Sequence, residues 1–253
     1  MTYRYYKKYF ENFKTKKGYY EACEMLAFKS EWVGVRKYKS LIKRSLEQIK
    51  GKKVIGADIC CGEYAWLPRH FYKYFSKIYC VDFNANVFKD KIFDRKNCYL
   101  VNKDASKKKI FTEGFLNYIY CGYNSYYRFI SHFYRYLCKN GVMFLMKPKK
   151  GDDFILRREL KRYDLKKRYR EINNITNFLK NRGLTNYIEL EFKWIFLNPD
   201  IDKVLAALSV VSLGNKNLLD KMRYNIAIKI LLNKLIKNKL TLFQIFSIWI
   251  FKK

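Results

Sequence analysis

Hydrophobic and polar positions follow two different periods along this chain. In residues 1–50, apolar side chains recur at helical spacing, and Leu41, Leu46 and Ile49 continue one stripe until Gly51. This pattern predicts an amino-terminal helical segment. From residue 53 onward, short apolar runs alternate with amphipathic stretches, which is typical of βαβ units and a parallel sheet.

The second part of the chain contains seven apolar runs that predict strands. They are Lys53–Ile59, Ile78–Asp82, Cys98–Val101, Leu116–Cys121, Val142–Met146, Tyr187–Phe196 and Leu240–Phe251. The main helices predicted around them are Tyr64–Phe75, Val87–Phe93, Tyr126–Cys138, Glu171–Lys180, Val204–Leu213 and Leu218–Leu235. We expect one α/β domain over residues 51–253, with residues 1–50 as its helical cap.

Composition leaves two interpretations of the charge open. The chain has 253 residues, 49% of them hydrophobic, and a formal net charge of +31. Such a length and apolar content support a folded core. The positive charge favours anionic partners such as RNA. Lysine outnumbers arginine, however, which equally indicates a compositional bias, since lysine is the weaker choice for bidentate phosphate recognition.

Cysteine usage and apolar segment lengths bear on compartment. The seven cysteines form no CxxC pair, and with only two histidines the chain offers poor material for a zinc site. We therefore expect reduced thiols, a cytoplasmic setting and no metal. The stretch Leu242–Phe251 is too short to span a membrane, and Met1–Phe10 does not resemble a signal peptide.

One stretch carries the chemical hypothesis. The run from Val54 ends in Asp58 and continues into a turn of small residues that contains Gly62 and ends at Glu63. The next predicted strand ends in Asp82. A strand, a tight turn, a helix and a second strand ending in an acid predict a nucleotide-type cofactor site at the carboxyl edge of a parallel sheet.

Taken together, residues 30–253 resemble the class I S-adenosylmethionine-dependent methyltransferases. Five segments carry the resemblance. They are Val54–Glu63 as the leading motif, Asp82 as the ribose-binding acid, Asp104–Ala105 as the adenine-contacting pair, Phe129–Leu145 as the helix and fifth strand, and residues 171–196 leading into the sixth strand. The resemblance implies a Rossmann-like, doubly wound, mostly parallel seven-stranded sheet, in which the last strand, Leu240–Lys253, is antiparallel.

The resemblance also implies roles for individual residues. The three glycine places of the family's turn hold Cys60, Gly62 and Tyr64 here. The implied contacts with S-adenosylmethionine are Asp58 towards the methionine amino group, Cys60 and Gly62 in the turn, Asp82 on the ribose, Phe83, Asp104 and Ala105 beside the adenine, Cys121 beneath the cofactor, and Arg36 on the methionine carboxylate. Asp104 as a solvated loop residue, Phe83 as a core residue and Arg36 as an exposed helix residue remain open.

The expected activity is methyl transfer to a small-molecule acceptor, whose pocket the helical insertion at residues 200–235 would build. The sulfonium carries an activated methyl group, so the protein mainly positions the reactants, and the sequence nominates no catalytic residue. Two alternatives remain. One is an RNA methyltransferase, in which Lys147 and Glu189 or Glu191 fill two places of a Lys-Asp-Lys-Glu tetrad. The other is an inactive methyltransferase-like binding protein.

Overall fold

The computed structural model describes residues 2–27, 31–49, 53–62, 64–89, 91–105, 110–122, 127–159, 165–184, 187–212 and 218–253. The helices are α1 (Tyr3–Lys14), α2 (Lys16–Ala27), α3 (Val35–Glu47), α4 (Tyr127–Tyr136), α5 (Asp152–Glu159), α6 (Leu165–Lys180), α7 (Ile201–Ala207) and α8 (Lys221–Leu232). The strands are β1 (Glu31–Val33), β2 (Ile55–Ile59), β3 (Lys77–Asp82), β4 (Cys98–Asn102), β5 (Leu116–Cys121), β6 (Leu137–Gly151), β7 (Ile188–Leu197), β8 (Leu235–Ile236) and β9 (Lys239–Lys252). Gly51, Glu63, Tyr126 and Leu213, which the predicted elements include, lie outside the described residues.

The strands form one sheet in the order β1-β7-β9-β6-β5-β2-β3-β4, and β8 pairs with β9. β2 pairs in parallel with both β3 and β5, so the chain winds outward in both directions from β2. Strands that diverge in this way leave a crevice at their carboxyl ends, where ligands bind in open α/β sheets. The sheet order therefore places Asp58 and Asp82 at that edge.

One of two compact units comprises Arg36–Pro148, Tyr169–Leu190 and Phe246–Lys253. In this unit Ile119 and Cys121 of β5 belong to a core that includes residues of α4 and α6. Successive side chains of a strand alternate between faces. Tyr118 and Tyr120 accordingly lie on the opposite face of β5. Their hydroxyl groups form hydrogen bonds with those of Ser45 at 2.7 Å and Tyr38 at 2.5 Å respectively, which attaches α3 to the sheet.

The other unit comprises Met1–Val35, Lys149–Arg168 and Glu191–Ile245. Its core contains aromatic residues of α1 and aliphatic residues of α7 and α8. Asp202 is buried and accepts a 2.6 Å hydrogen bond from the Tyr224 hydroxyl. The side chain of Asp200 caps α7 through the Lys203 amide, and Asp220 caps α8 through the Arg223 amide.

All seven predicted strands are present, and the predicted fold class is confirmed. The predicted amino-terminal helices are also present, although the short strand β1 was not predicted. The helix predicted over Leu218–Leu235 ends at Leu232, and the two-residue strand β8 follows it. None of the described helices combines the length and the hydrophobicity needed to cross a bilayer.

The predicted helix Tyr64–Phe75 is wrong. The structure has a π-helical turn, Leu67–Phe71, followed by a single 3₁₀ turn. Ala65 has a φ of 40°, which interrupts helical geometry, and Pro68 has no amide proton to donate. The described residues of the segment predicted as the helix Val87–Phe93 likewise belong to two 3₁₀ turns, Ala85–Lys89 and Lys91–Asp94.

Candidate functional site

The turn after β2 has an unusual backbone. Cys60 and Gly62 have φ values of 54° and 56°, both in the left-handed region. Glycine tolerates this region, whereas a residue with a side chain is destabilised there by about 1 kcal/mol or more. Apart from its chain neighbours, no described residue has an atom within 4 Å of a Cβ added to Gly62. The turn therefore keeps open space above its central glycine.

The strain at Cys60 gives a first prediction. We expect Cys60→Gly to raise the free energy of unfolding by about 0.5–1 kcal/mol, because relief of the left-handed strain exceeds the greater flexibility of glycine in the unfolded chain. Urea unfolding of both proteins measures the difference. Cys60→Ala is the matched control, since alanine keeps the strain and should show no gain. Equal stabilisation of both variants would contradict this account.

Asp82 links the ends of three strands. Its carboxylate accepts hydrogen bonds from the Gly62 amide at 3.0 Å and from the Asn84 amide at 2.9 Å. The Asn102 side chain donates to the backbone oxygens of Asp82 and Phe83 at 3.1 and 2.9 Å. Phe83 itself projects from this junction and is 78% exposed. Asp82 is thus fixed beside the open turn, and the next residue, Phe83, exposes an aromatic ring to solvent.

Asp58 is buried beneath the same turn. It is 1% exposed, and one carboxylate oxygen accepts the Leu67 amide at 3.0 Å. Burial raises the pKa of Asp58 to about 7, and the charge of Asp82 contributes in the same direction, while the Leu67 hydrogen bond opposes it. Asp58 therefore holds the start of the π-helical turn and titrates near neutral pH.

Three carboxylates act electrostatically on the thiol of Cys60. Burial raises the pKa of Cys60 to about 12, and the charges of Asp82, Asp58 and Asp104 add to this effect. The structure thus brings these three predicted acids into one electrostatic environment. A concentration of negative charge of this kind favours a cationic ligand group.

Tyr64, at the third glycine place, contacts residues that follow it in the chain. Its hydroxyl lies 2.9 Å from His70 Nε2, and its carbonyl accepts a 2.8 Å hydrogen bond from Arg69 Nε. Its ring lies 4.9 Å from that of Trp66. Burial and then the charges of Lys39 and Arg69 lower the pKa of His70 to about 4, so the imidazole is neutral at pH 7. The tyrosine is therefore part of an ordered aromatic cluster.

The other predicted site residues differ in how far their side chains are buried. Ala105 and Cys121 are buried in the core that contains α4, and Asp104 is exposed. Arg36 is exposed in the first turn of α3 and takes part in none of the contacts described above. Sequence reasoning missed Asn102, whose position at the end of β4 opposite Asp82 was its available signal.

Lys147 is fully buried, and its Nζ lies 2.6 Å from Glu171 Oε2. Sequence reasoning proposed Glu189 or Glu191 as the acid that accompanies Lys147 in a catalytic tetrad. Lys147 forms an ion pair with Glu171, and Glu191 forms an ion pair with Lys193 at 3.2 Å. A buried lysine this close to a carboxylate favours a structural ion pair.

Comparison with known proteins rests on structure. No protein-family model matches the chain, and no curated protein matches its sequence. A protein of Bacillus halodurans assigned as a methyltransferase superposes with a TM-score of 0.53 at 14% identity, covering 85% of this chain and 99% of that one. The chain has the class I methyltransferase fold.

Other structures with this fold agree. The YcgJ protein of Bacillus subtilis superposes with a TM-score of 0.53 at 14% identity, covering 83% of this chain and 98% of that one. A protein of Galdieria sulphuraria, assigned as a sarcosine dimethylglycine methyltransferase, gives 0.50 at 14% identity over 85% of each chain. At this identity the similarity establishes the class I methyltransferase fold, and the chemistry rests on the chain's own residues.

Proposed function

We propose that this protein is a methyltransferase that binds S-adenosylmethionine at the turn after β2 and transfers its methyl group to a small-molecule acceptor. The observation that carries the proposal is the Asp82 carboxylate, fixed by the Gly62 and Asn84 amides beside an open left-handed turn. In this fold, that position lies at the carboxyl edge of the sheet, where ligands bind.

The residues around the turn fit this cofactor. Each Asp82 carboxylate oxygen accepts one hydrogen bond from a backbone amide and keeps a lone pair that can accept another from a ribose hydroxyl. The exposed ring of Phe83 supplies a face for the adenine. The carboxylates of Asp58, Asp82 and Asp104 favour a cationic sulfonium over its neutral product.

When bound, S-adenosylmethionine supplies an activated methyl group on a cationic sulfur. The chain's part is to orient and to exclude water, which lowers the entropic barrier of bringing two reactants together. In this proposal Asp82 fixes the ribose, Gly62 lets the backbone approach, and Asp58 keeps the turn in shape through the Leu67 amide.

Cofactor binding tests the proposal directly. We expect isothermal titration calorimetry to detect binding of S-adenosylmethionine and of its demethylated product. Asp82→Ala should weaken binding by about 100-fold, because two hydrogen bonds to a charged group are lost. Asp94→Ala, an exposed acid at the end of a 3₁₀ turn, is the control and should bind like the wild type.

Two results would contradict the proposal. Absence of binding at millimolar cofactor would support the inactive methyltransferase-like protein instead. Unchanged affinity of Asp82→Ala would refute the ribose role of that acid. Transfer of a radiolabelled methyl group then distinguishes acceptors: label recovered in small molecules is the expected result, and label recovered only in RNA would establish the alternative acceptor.

A further inference from the structure

A cavity of about 480 Å³ lies beside β4, the last strand in the sheet order. It is lined by Tyr79, Leu100, Val101, Asn102, Lys103, Ile110, Phe111, Thr112 and Phe115. The ring of Tyr79 lies 5.4 Å from those of both Tyr99 and Phe111, and 5.6 Å from that of Phe115. We call these four rings, with the cavity beside them, the aromatic groove.

The rings of the aromatic groove are open to water. Tyr99 is 40% exposed and Phe115 is 36% exposed. Rings that served only as core would be covered, as Phe133 is. A contiguous apolar patch that remains exposed beside a cavity marks a surface on which a ligand packs.

Lysines stand at both ends of the aromatic groove. Lys77 Nζ lies 5.5 Å from the centre of the Tyr99 ring, and Lys103 lines the cavity just beyond β4. Ile78 pairs with Cys98, which places Lys77 level with residue 97. At about 3.3 Å per residue, the five residues from this level to Asn102, where β4 ends, span roughly 17 Å along the strand.

We propose that the aromatic groove binds single-stranded RNA, with unpaired bases stacked on Tyr99 and Phe115 and phosphates held by Lys77 and Lys103. Aromatic platforms flanked by basic side chains are the general means of binding single strands, because every base offers a stacking face. A duplex hides those faces, and bases stacked on two separate rings require more than one nucleotide. The net charge of +31 complements a polyanion.

This proposal does not depend on methyl transfer, and its test needs no cofactor. The experiment measures fluorescence anisotropy of a labelled 12-nucleotide oligouridine with the full chain at several salt concentrations. Tyr99→Ala with Phe115→Ala should weaken binding by about 10- to 100-fold, with the salt dependence unchanged. Lys77→Ala with Lys103→Ala should lower the slope of log K against log salt by about 1.4, since each phosphate contact contributes about 0.7.

The controls separate the aromatic groove from general electrostatics. Tyr74→Ala removes another exposed tyrosine, 38% exposed, and should leave affinity unchanged. Because Lys77 and Lys103 are exposed, their double variant keeps the fold and still tests the proposal if the aromatic variant does not fold.

Four results would overturn the proposal. Unchanged affinity in both double variants would mean that RNA is bound elsewhere by charge alone. Binding of uridine monophosphate as tight as that of the oligonucleotide would assign the groove to a free nucleotide. Competitive displacement of RNA by S-adenosylhomocysteine would assign it to the cofactor. Dimerisation that is lost in the aromatic double variant, without RNA binding, would assign it to a second copy of the chain.

Discussion

We expect Asp58→Asn to be about 2–4 kcal/mol more stable than the wild type at pH 8 and nearly equal to it at pH 4. Burial raises the pKa of Asp58 to about 7 in the folded protein, whereas an unfolded aspartate titrates near 4. Between these values the folded protein retains a proton that the unfolded chain has lost. The stability that the wild type gains from this retained proton is therefore fully present below pH 4 and is lost as the pH rises through 7. The loss amounts to about 1.4 kcal/mol for each unit by which the folded and unfolded pKa values differ.

Asparagine removes this dependence because it does not ionise and its side-chain oxygen still accepts the Leu67 amide. Urea unfolding at intervals between pH 4 and pH 8 measures the effect, with Asp94→Asn as an exposed control. A constant difference between Asp58→Asn and the wild type across this range would show that Asp58 is ionised throughout. Above pH 7, where Asp58 is ionised, we also expect weaker cofactor binding by Asp58→Asn, since the proposed site loses one of its negative charges.

We expect Glu171→Gln to lower the free energy of unfolding by about 2–3 kcal/mol, and Lys147→Met to change it by less than about 1 kcal/mol. The asymmetry follows from burial. Lys147 is fully buried, so removal of the Glu171 carboxylate takes away a negative charge that lies 2.6 Å from an ammonium in a low-dielectric interior. The Glu171 side chain is 26% exposed, so it can turn to water when the lysine is removed.

Chemical denaturation of the two single variants measures this asymmetry. Lys193→Met serves as the control, because that lysine is 47% exposed in its ion pair with Glu191 and should matter little. Equal losses in Glu171→Gln and Lys147→Met would contradict the burial argument. If Lys147→Met folded normally but lost methyl transfer to RNA, the tetrad hypothesis would regain its support.

The sheet could be predicted from sequence because each long strand has its own apolar run and each connection has its own turn residues. β1 and β8 could not, since two or three residues are too few to show a period of two. The helix after β2 was predicted wrongly for a tertiary reason. Its apolar spacing is helical, but the Asp58 carboxylate takes the Leu67 amide, and Ala65 adopts a left-handed conformation.

Of the candidate site, only the residues at strand ends could be predicted from the sequence. Asp58 and Asp82 are in such places, and their mutual proximity follows from parallel strands. The partners of Lys147 and Tyr64 could not be inferred. Glu171 is 24 positions from Lys147 in the chain, and the cluster of Tyr64 with Arg69 and His70 depends on a distorted turn that periodicity does not indicate.

The two amide bonds to Asp82 have a consequence for the thermodynamics of recognition. A surface carboxylate normally samples several rotamers, and a ligand that orders such a side chain loses about 0.5–1.5 kcal/mol of its binding free energy. Here the rotamer is selected during folding by the Gly62 and Asn84 amides. The conformational entropy of the Asp82 side chain is therefore lost on folding, before any ligand binds. A hydrogen bond from a ligand to Asp82 then contributes to the binding free energy without the cost of ordering this side chain.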